Sequence, residues 1–496
     1  ELAKRPENAD EVIYKLRGIF LSVKHSGLVK TNKMFSEWLL GQHSMPLGEN
    51  HEHITINFFD FKNPENNHFV VTQQLTYKPS TNIHKRYDLV FYVNGFPLIV
   101  GEVKTPVRPA ISWEDGAVDF LDDYWQKTDS FFVPNLLCFA TEGKTFRYAS
   151  INSDYKNWAP WFETENRGER KHDLQEILYS ARLLLNPKTI IDILGAFTIY
   201  STTKKGKMIK VIARYQQYEA AKQIVERVVS GKVRKGLIWH FQGSGKSFLM
   251  LYAAQMLKTE RRLNNPTVIV VVDRKDLNSQ ITSTFDRSEV PNTVNATSRN
   301  DLETLIEQDS RNIIITTIHK FGEVDRTLNQ RDNIIVLVDE AHRTQEGDLG
   351  DKMRLALPNA FFFGLTGTPI CKRDKNTFKL FGADEDKGRF LNHYSYKQSI
   401  VDEATLPVRF DPRLVDLHIN KEVLNEGFDL LAKEYDLDEA ERALLSKRAA
   451  RLSHLIKAPA TIAAVANDIV KHFKEKVEPR GFKAMVVVYD RETCAV

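Results

Sequence analysis

Gly-Leu-Ile-Trp-His-Phe-Gln-Gly-Ser-Gly-Lys-Ser-Phe-Leu-Met, residues 236–250, is the stretch that decides the fold of this chain. An apolar strand at 237–239 runs into a glycine-rich turn, and an apolar helix follows from Phe248 onward. Glycines let successive backbone N–H groups turn inward around phosphates, and the N-terminus of the next helix adds its dipole. The stretch therefore predicts a strand–loop–helix unit that binds the phosphates of a nucleotide.

The side chains of this loop suit a nucleotide and a divalent metal. Lys246 is expected to reach the β- and γ-phosphates, and the Ser247 hydroxyl is expected to ligate Mg²⁺. The other nucleotide-binding positions of the loop are Gly243, Ser244 and Gly245. The usual pattern opens with a glycine where this chain has His240, and such a run can arise by chance in a flexible loop. The surrounding motifs favour a site for ATP and Mg²⁺ over chance.

A second motif, Asp339-Glu340-Ala341-His342, follows the apolar run at 334–338. An unbroken run of β-formers predicts a parallel strand that is buried on both faces. At its carboxyl end, Asp339 is expected to hold Mg²⁺, and Glu340 is expected to position and deprotonate the attacking water. An isolated Asp-Glu pair is more often a solvated strand exit, so this interpretation depends on the phosphate loop upstream.

Further apolar runs alternate with helical stretches, at 268–272, 313–318 and 361–365, and the last is followed by Thr366-Gly367-Thr368-Pro369. This alternation predicts an α/β fold with a doubly wound parallel sheet, in which ligands bind outside the carboxyl ends of the strands. The order of the motifs resembles the first, RecA-like lobe of superfamily 2 helicases and translocases. The resemblance implies that residues 366–369 couple the state of ATP to DNA contact.

That family also has a glutamine upstream of the phosphate loop that reads adenine. In Arg-Tyr-Gln-Gln-Tyr, residues 214–218, either Gln216 or Gln217 matches, and Gln216 is taken as the candidate. The alternative is a glutamine on the surface of a helix.

Composition limits the class of protein without identifying it. The chain has 496 residues, 42% of them hydrophobic, and a net charge of +4, so any DNA-binding surface must be local. Its three cysteines have no paired spacing, which argues against a disulfide or zinc framework and for a reducing, cytoplasmic location. No apolar run approaches the ~20 residues of a membrane span.

The N-terminal region lacks motor motifs but carries the signal of a β-hairpin. Asn94-Gly95 is a turn signal between strands expected at 89–93 and 98–104. Asp88 can reach Glu102 across the pair, and Glu102 shares a face with Lys104. This cluster predicts a phosphodiesterase site in which Asp88 and Glu102 hold Mg²⁺ and Lys104 is a general base or a charge stabiliser.

The alternative is an exposed hairpin face with charges placed by chance. An apolar strand that carries charges inward weighs against it, because such burial is costly unless the charges bind something.

The spacing of Asp88, Glu102 and Lys104 resembles the PD-(D/E)xK nuclease core, although Tyr87 stands in the place of the nominal proline. Joined to a superfamily 2 motor, it makes the chain similar to the motor (R) subunit of type I restriction enzymes. The matching segments are residues 63–69, 86–90, 94–98, 102–104, 238–240, 272–277, 339–343 and 364–369. A Trp-His entry to the phosphate loop is typical of that family, so His240 fits it.

The resemblance implies an ATP-dependent translocase and Mg²⁺-dependent endonuclease that cleaves foreign, unmethylated double-stranded DNA after translocation. It also implies methyltransferase (M) and specificity (S) subunits as partners. These RecB-like nucleases carry Gln-x3-Tyr on the helix after the core strands. Here Tyr124 fits, Phe120 takes the glutamine place, and either Tyr124 or Gln126 could fill the corresponding role.

Three domains are expected: an endonuclease at 1–205, the first RecA-like lobe at 206–400, and the beginning of a second lobe at 401–496. Residues 202–210 are predicted to be a linker. The second lobe is predicted to contain helices and one buried strand, at 422–435, 439–455, 459–474 and 483–489. Because the later motifs of that lobe are missing, the sequence is interpreted as a fragment with poor ATPase activity.

Two other interpretations remain open at this point. One is a stand-alone DNA helicase whose N-terminal domain only binds DNA. The other is an RNA-directed or chromatin-type remodeller with a structural N-terminal module.

Overall fold

A computed structural model describes residues 6–80, 82–163, 172–203, 205–273, 281, 284–288, 290–308, 311–322, 324–342, 349–371, 376–408, 410, 459–488 and 490–495. The chain forms two compact units, residues 1–406 and 407–496. The first unit contains both the predicted nuclease and the predicted first motor lobe.

A five-stranded mixed sheet forms the N-terminal half of the first unit, and its strands neighbour one another in chain order. They are β3 (Phe69–Ser80), β4 (Ile83–Val93), β5 (Phe96–Val103), β6 (Leu137–Thr141) and β7 (Phe146–Ala149), after a small pair β1 (Ser44–Met45) and β2 (Ile54–Thr55). All neighbours are antiparallel except β5 and β6. At the β4–β5 turn Asn94 and Gly95 have φ of 49° and 85°, as a two-residue hairpin turn requires, so the predicted hairpin is confirmed.

Short helices accompany this sheet. They are α1 (Pro6–Leu21), α2 (Val23–Ser26), α3 (Leu28–Leu39), α4 (Trp113–Val118), α5 (Trp125–Lys127), α6 (Leu174–Leu184) and α7 (Pro187–Ala196). A π-helical turn, Asp119–Tyr124, connects α4 to α5. The apolar residues of α3, the sheet and α7 belong to one buried core.

The predicted linker at 202–210 is wrong, because this segment contains the end of β8 (Thr198–Thr202) and the start of β9 (Met208–Ile212), which pair as an antiparallel hairpin. Lys210 is 4% exposed and donates to the Asn135 carbonyl at 2.6 Å, while the Tyr148 hydroxyl donates to the Ala213 carbonyl at 2.6 Å. The hairpin is therefore packed against the N-terminal half of the unit. The expected boundary at 205/206 falls within its turn.

Seven parallel strands build the second half, and they confirm the doubly wound sheet. In chain order they are β10 (Lys235–His240), β11 (Thr267–Val272), β12 (Thr293–Asn295), β13 (Ile313–Thr317), β14 (Ile334–Asp339), β15 (Phe361–Thr366) and β16 (Asn392–Tyr394). In space the order is β12-β13-β11-β14-β15-β10-β16. Val268 and Ile269, neighbours on β11, enter two different hydrophobic cores, as expected of a sheet covered on both faces.

The α-helices of this half that are described over their full length are α8 (Tyr215–Ser230), α9 (Lys246–Thr259), α10 (Arg299–Glu307), α11 (Leu349–Ala356), α12 (Thr377–Phe381) and α13 (Tyr396–Val401). One core cluster runs without a break from the N-terminal sheet into α8, α9 and β11. The continuous core explains why both halves fall within one compact unit.

In the second unit the structure describes α14 (Pro459–His472) and α15 (Arg491–Ala495). The first of these confirms the predicted helix at 459–474, whereas those predicted at 422–435 and 439–455 lie outside the described residues. The strand predicted at 483–489 is not formed over 483–488: no described residue pairs with it, and Met485 and Val487 are 86% and 81% exposed. None of the described helices is long and apolar enough to cross a membrane.

Candidate active sites

The hairpin places Asp88 and Glu102 side by side. Leu89 of β4 pairs with Gly101 of the antiparallel strand β5, so Asp88 lies opposite Glu102. The Val103 N–H donates to Asp88 Oδ2 at 2.9 Å, and Gln74 Nε2 donates to Oδ1 at 3.1 Å. These two hydrogen bonds fix the direction of the Asp88 carboxylate.

Glu102 is the buried centre of this site, with 6% of its surface exposed. Its Oε1 accepts a hydrogen bond from Lys104 Nζ at 2.9 Å, and its Oε2 accepts one from the Tyr124 hydroxyl at 3.0 Å. Burial and the nearby Asp88 charge raise the pKa of Glu102, against the opposing effect of Lys104 and Tyr124. The structure thus brings together the predicted residues Asp88, Glu102 and Lys104.

Lys104 also forms an ion pair with Asp119, a residue that the sequence interpretation did not single out. Burial alone would lower the pKa of Lys104, but its hydrogen bonds to Asp119 and Glu102 raise the pKa above the usual value. The ammonium is therefore held in its charged form between two carboxylates.

The choice between Tyr124 and Gln126 is decided by geometry. The Tyr124 hydroxyl reaches Glu102, whereas the exposed Gln126 donates to the Leu121 carbonyl at 3.4 Å, away from the cluster. Tyr87, which replaces the nominal proline, is fully buried, and its hydroxyl donates to Thr128 Oγ1 at 2.7 Å. The Tyr87 side chain therefore packs in the core, and its neighbour Asp88 contributes to the carboxylate cluster.

Among the described residues, no group of three or more His, Cys, Asp and Glu side chains is placed to hold a metal ion. The pair Asp88 and Glu102 nevertheless suits a divalent cation. Each of the four carboxylate oxygens accepts one hydrogen bond in the described contacts and keeps further acceptor capacity. Burial and, to a smaller extent, the charge of Asp88 raise the pKa of Glu102, and a bound cation would oppose both effects.

The phosphate loop connects β10 to α9, which begins at Lys246, two residues earlier than expected. Gly243 and Gly245 have φ of 87° and 82°, the left-handed conformation that turns the backbone sharply here. Lys246 is 9% exposed. The Ser244 hydroxyl is buried with no hydrogen-bond partner among the described residues. Both features suit a loop that closes on an anionic ligand.

Asp339 ends β14 and is 6% exposed. Its Oδ1 is buried without a partner in the described part of the chain. Burial and the nearby Glu340 raise the pKa of Asp339 to about 6, while Lys246 opposes this rise. A buried carboxylate oxygen without a partner among the described residues, on a carboxyl that the charge of Lys246 influences, fits an Mg²⁺ site.

The acidic box is tied to the motif on the neighbouring strand. His342 Nδ1 lies 2.8 Å from Thr366 Oγ1 and forms a 3.4 Å contact with Glu340 Oε2. The Thr368 N–H donates to Thr366 Oγ1 at 3.1 Å. The position of Glu340 is thereby linked to residues 366–369.

The two candidate glutamines take different places beside the phosphate loop. Gln217 Nε2 donates to the carbonyls of Ser244 and Gly245 at 3.2 Å each, and its Oε1 accepts from the Arg214 N–H at 2.9 Å. Gln216 is 2% exposed, and its Oε1 has no partner within the described residues. Both line a cavity of about 550 Å³ that also borders Gly243 and residues of β7 and β9.

His240, the departure from the usual loop pattern, has a structural explanation. It is fully buried, and its Nε2 lies 2.6 Å from Asn392 Oδ1 on the adjacent strand β16. Burial lowers the pKa of His240 to about 4, so the ring is neutral at physiological pH. The hydrogen bond between His240 and Asn392 therefore holds the start of the phosphate loop against the edge strand β16.

Two family models match the chain. One, described as the type I restriction enzyme R protein N terminus (HSDR_N), matches residues 2–157, and the other, described as SWI2/SNF2 ATPase, matches residues 216–443. The two matches together take in every predicted site residue, from Asp88 to Glu340.

The chain is similar to curated relatives over most of its length. It is 32% identical over 471 residues to the type I restriction enzyme HindI endonuclease subunit of Haemophilus influenzae, covering 88% of this chain and 43% of that protein. It is 28% identical over 525 residues to a subunit assigned as the MjaIXP type I restriction endonuclease subunit in Methanocaldococcus jannaschii, covering 98% and 48%. The chain spans about half the length of the curated relatives it matches.

Among solved structures, a fragment assigned as the HsdR subunit of a type I restriction enzyme from Vibrio vulnificus aligns over 82% of this chain and 71% of its own. The identity is 16% and the TM-score is 0.30, which supports no structural argument.

Proposed function

We propose that this chain, which belongs to the R-subunit family of type I restriction enzymes, carries the DNA-cleaving and ATP-driven motor functions of such an enzyme. Its substrate is unmethylated double-stranded DNA, which it translocates and then cuts. Residues 1–205 are the endonuclease, residues 206–400 are the first motor lobe, and residues 401–496 begin the second.

The observation that carries the proposal is the cluster of Asp88, Glu102 and Lys104 in the same compact unit as the phosphate loop and acidic box. Two neighbouring carboxylates beside an ammonium are the groups that metal-assisted cleavage of a phosphodiester requires. Its combination with an ATP site is what an ATP-dependent endonuclease requires.

In the nuclease site, Asp88 and Glu102 are the residues that would hold Mg²⁺, which when bound polarises a phosphate and activates a water. The charged Lys104 stands beside Glu102, where it can neutralise charge that develops on the phosphate during cleavage. Tyr124 keeps the Glu102 carboxylate turned toward Lys104.

In the motor site, Lys246 binds the transferred phosphate, while Ser247 and Asp339 would hold Mg²⁺. Glu340 positions the attacking water and accepts its proton. Gln216 lines the cavity beside the loop with its amide oxygen unpaired among the described contacts, so it is available to the adenine, while Gln217 braces the loop itself.

ATP and Mg²⁺ are the proposed cofactors of the chain. The proposed partners are DNA and the M and S subunits, and the proposed location is the cytoplasm. The specificity subunit would choose the DNA site, as in the family that this chain resembles.

The test is cleavage of an unmethylated circular plasmid by the R subunit assembled with M and S, with ATP and Mg²⁺ present. We expect Glu102→Ala to abolish cleavage and to preserve DNA-stimulated ATP hydrolysis. Wild-type cleavage by this variant would refute the nuclease assignment. A complex that hydrolyses ATP but never cuts DNA in the wild-type form would instead support the stand-alone helicase.

A further inference from the structure

We propose that Gln74 is a positioning residue of the nuclease site, and that its strained backbone conformation serves to hold the Asp88 carboxylate in place. Its side-chain Nε2 donates to Asp88 Oδ1 at 3.1 Å. Its φ is 56°, in the left-handed region that a long side chain rarely adopts. Strain of this kind is frequent at functional sites. The inference rests on the proposed nuclease function and adds a residue to that site.

The left-handed residue interrupts the ladder between β3 and β4 at the position of the catalytic aspartate. Its neighbours Gln73 and Leu75 pair with the residues on either side of Asp88, in one unchanged register. Gln74 and Asp88 therefore lie opposite one another, but no ladder pair joins them. A β-bulge would insert an extra residue and shift the register, which does not happen at this position. The contact between the two strands here is instead the side-chain hydrogen bond.

The place of β3 in the sheet allows this interruption. Strand β3 is the first of the five, so β4 is its one neighbour among the described strands. A left-handed residue in a central strand would disturb two ladders, whereas here it disturbs one. Gln74 is exposed, so packing in a core does not explain its conformation. The hydrogen bond to Asp88 is the described side-chain contact that the conformation serves.

Two donors from opposite sides fix the Asp88 carboxylate. Gln74 on β3 donates to Oδ1, and the Val103 N–H on β5 donates to Oδ2 at 2.9 Å. Rotation about the last side-chain torsion of an aspartate has only a broad preference, so the carboxylate plane needs such contacts to be fixed. Val103 is next to Glu102 in sequence, so the pair of donors keeps Asp88 turned toward the second carboxylate of the site.

The chemistry of an amide suits this role. An amide N–H donates a hydrogen bond without bringing a charge, so Gln74 orients Asp88 and leaves its negative charge to a cation. A lysine at this position would also donate, but its ammonium would neutralise the carboxylate and compete with a metal ion. Gln74 thus prepares Asp88 for Mg²⁺ without taking the place of the ion.

The first experiment measures the strain by urea unfolding of the R subunit. In a regular strand alanine is more stable than glycine, whereas at a left-handed position glycine is favoured. We therefore expect Gln74→Gly to unfold at a higher urea concentration than Gln74→Ala. The matched pair Gln73→Gly and Gln73→Ala, at an exposed neighbour on the same strand, should show the reverse order. Alanine above glycine at both positions would overturn the inference.

The second experiment measures Mn²⁺ binding to the nucleotide-free R subunit, through the electron paramagnetic resonance signal of the free ion. Glu102→Ala identifies the part of the binding that belongs to the nuclease site. We expect Gln74→Ala and Gln74→Gly to weaken that part about tenfold, the scale of one hydrogen bond to a charged group. Gln73→Ala should bind Mn²⁺ as the wild type does. Because Gln74→Gly relieves the strain, weaker binding in this variant is not explained by poorer folding.

Plasmid cleavage by the assembled complex completes the test. Both Gln74 variants should cleave about tenfold more slowly than the wild type, with ATP hydrolysis unchanged, and both Gln73 variants should cleave normally. Wild-type Mn²⁺ affinity together with wild-type cleavage in Gln74→Gly would overturn the inference. Failure of the proposed function looks different. In that case Glu102→Ala would bind Mn²⁺ and cleave as the wild type does, whatever the behaviour of Gln74.

Discussion

The nuclease site and the ATP site differ in how their buried polar atoms are paired. In the nuclease site the oxygens of Asp88 and Glu102 all accept hydrogen bonds from the protein. In the ATP site Asp339 Oδ1, Ser244 Oγ and Gln216 Oε1 are buried and have no partner among the described residues. The nuclease site is thus held by its own side chains, whereas the ATP site is completed by what it binds.

The two sites therefore affect the stability of the folded protein in different ways. Buried polar atoms without partners cost stability, so the ATP site is a local weakness that a nucleotide and a metal repair. The nuclease site carries a network that is already satisfied, and its weak point is any change that removes one member. The predictions below test this contrast, from the largest expected effect to the smallest.

Removal of Lys104 tests the satisfied network most severely. Lys104→Ala leaves Glu102 without its ammonium, and we expect cleavage to fall by roughly a thousandfold while ATP hydrolysis persists. Lys104→Arg should also be inactive, because a planar guanidinium does not fit the same point position. The measurement is plasmid conversion by the assembled complex. Near-wild-type cleavage by Lys104→Ala would return the hairpin to a merely structural role.

Phe120 tests whether the network depends on core packing. Phe120→Ala removes a fully buried ring and should lower the free energy of unfolding by about 3–5 kcal/mol. Urea unfolding followed by near-ultraviolet circular dichroism gives this value. Val118→Ala, a truncation on the exposed side of the same helix, is the control and should change it by less than about 0.5 kcal/mol. Equal changes in the free energy of unfolding in the two variants would show that the buried Phe120 ring does not stabilise this region.

Asp339 tests the ATP site, where removal of a buried charge should stabilise the folded protein. Because burial raises its pKa from 3.8 to about 6, the charged form destabilises the folded protein at neutral pH. Asp339→Asn should therefore stabilise the ligand-free protein by about 2–3 kcal/mol at neutral pH, since each pKa unit is worth about 1.4 kcal/mol. ATP hydrolysis should be lost.

The size of this stabilisation depends on pH. The gain from Asp339→Asn should shrink as the pH falls through 6 toward 3.8, where the wild-type carboxyl is protonated in the folded and then in the unfolded state. Thermal unfolding at several pH values measures it, with the exposed Asp332→Asn as control. A gain that is constant with pH, or a loss of stability, would show that Asp339 is not strained.

The smallest effect separates Tyr124 from Gln126. Tyr124→Phe removes the hydroxyl that orients Glu102 and should slow cleavage by about tenfold, the worth of one hydrogen bond to a charged group. Gln126→Ala should be nearly silent in both cleavage and stability, within about 0.5 kcal/mol. The opposite ranking in the plasmid assay would place Gln126 in the site.

The sequence predicted the parts of the molecule whose chemistry is local. Unbroken β-formers followed by glycines or by Asp339 gave the parallel strands and the ATP site, because these motifs need a fixed order of neighbours along the chain. Asn94-Gly95 gave the hairpin and, through the period of two, the juxtaposition of Asp88, Glu102 and Lys104.

The remainder depends on packing between distant segments. Asp119 was missed because its ion pair with Lys104 forms through the π-turn Asp119–Tyr124, which the sequence does not predict. The composition of residues 202–210 is typical of a linker. In the structure, however, Lys210 lies in the β8–β9 hairpin and donates a hydrogen bond to the Asn135 carbonyl of the N-terminal half. The segment 483–488 has strand propensity but no described neighbour to pair with. Propensity alone does not form a sheet.

The most direct test compares one variant of each site in the same two assays. Asp88→Ala and Lys246→Ala subunits are assembled with M and S, and DNA-stimulated ATP hydrolysis and plasmid cleavage are measured on each. We expect Lys246→Ala to lose both activities, because cleavage follows translocation. Asp88→Ala should lose cleavage by roughly a thousandfold or more and hydrolyse ATP at the wild-type rate. If ATP hydrolysis instead falls together with cleavage in Asp88→Ala, the two sites are not the separate centres described above.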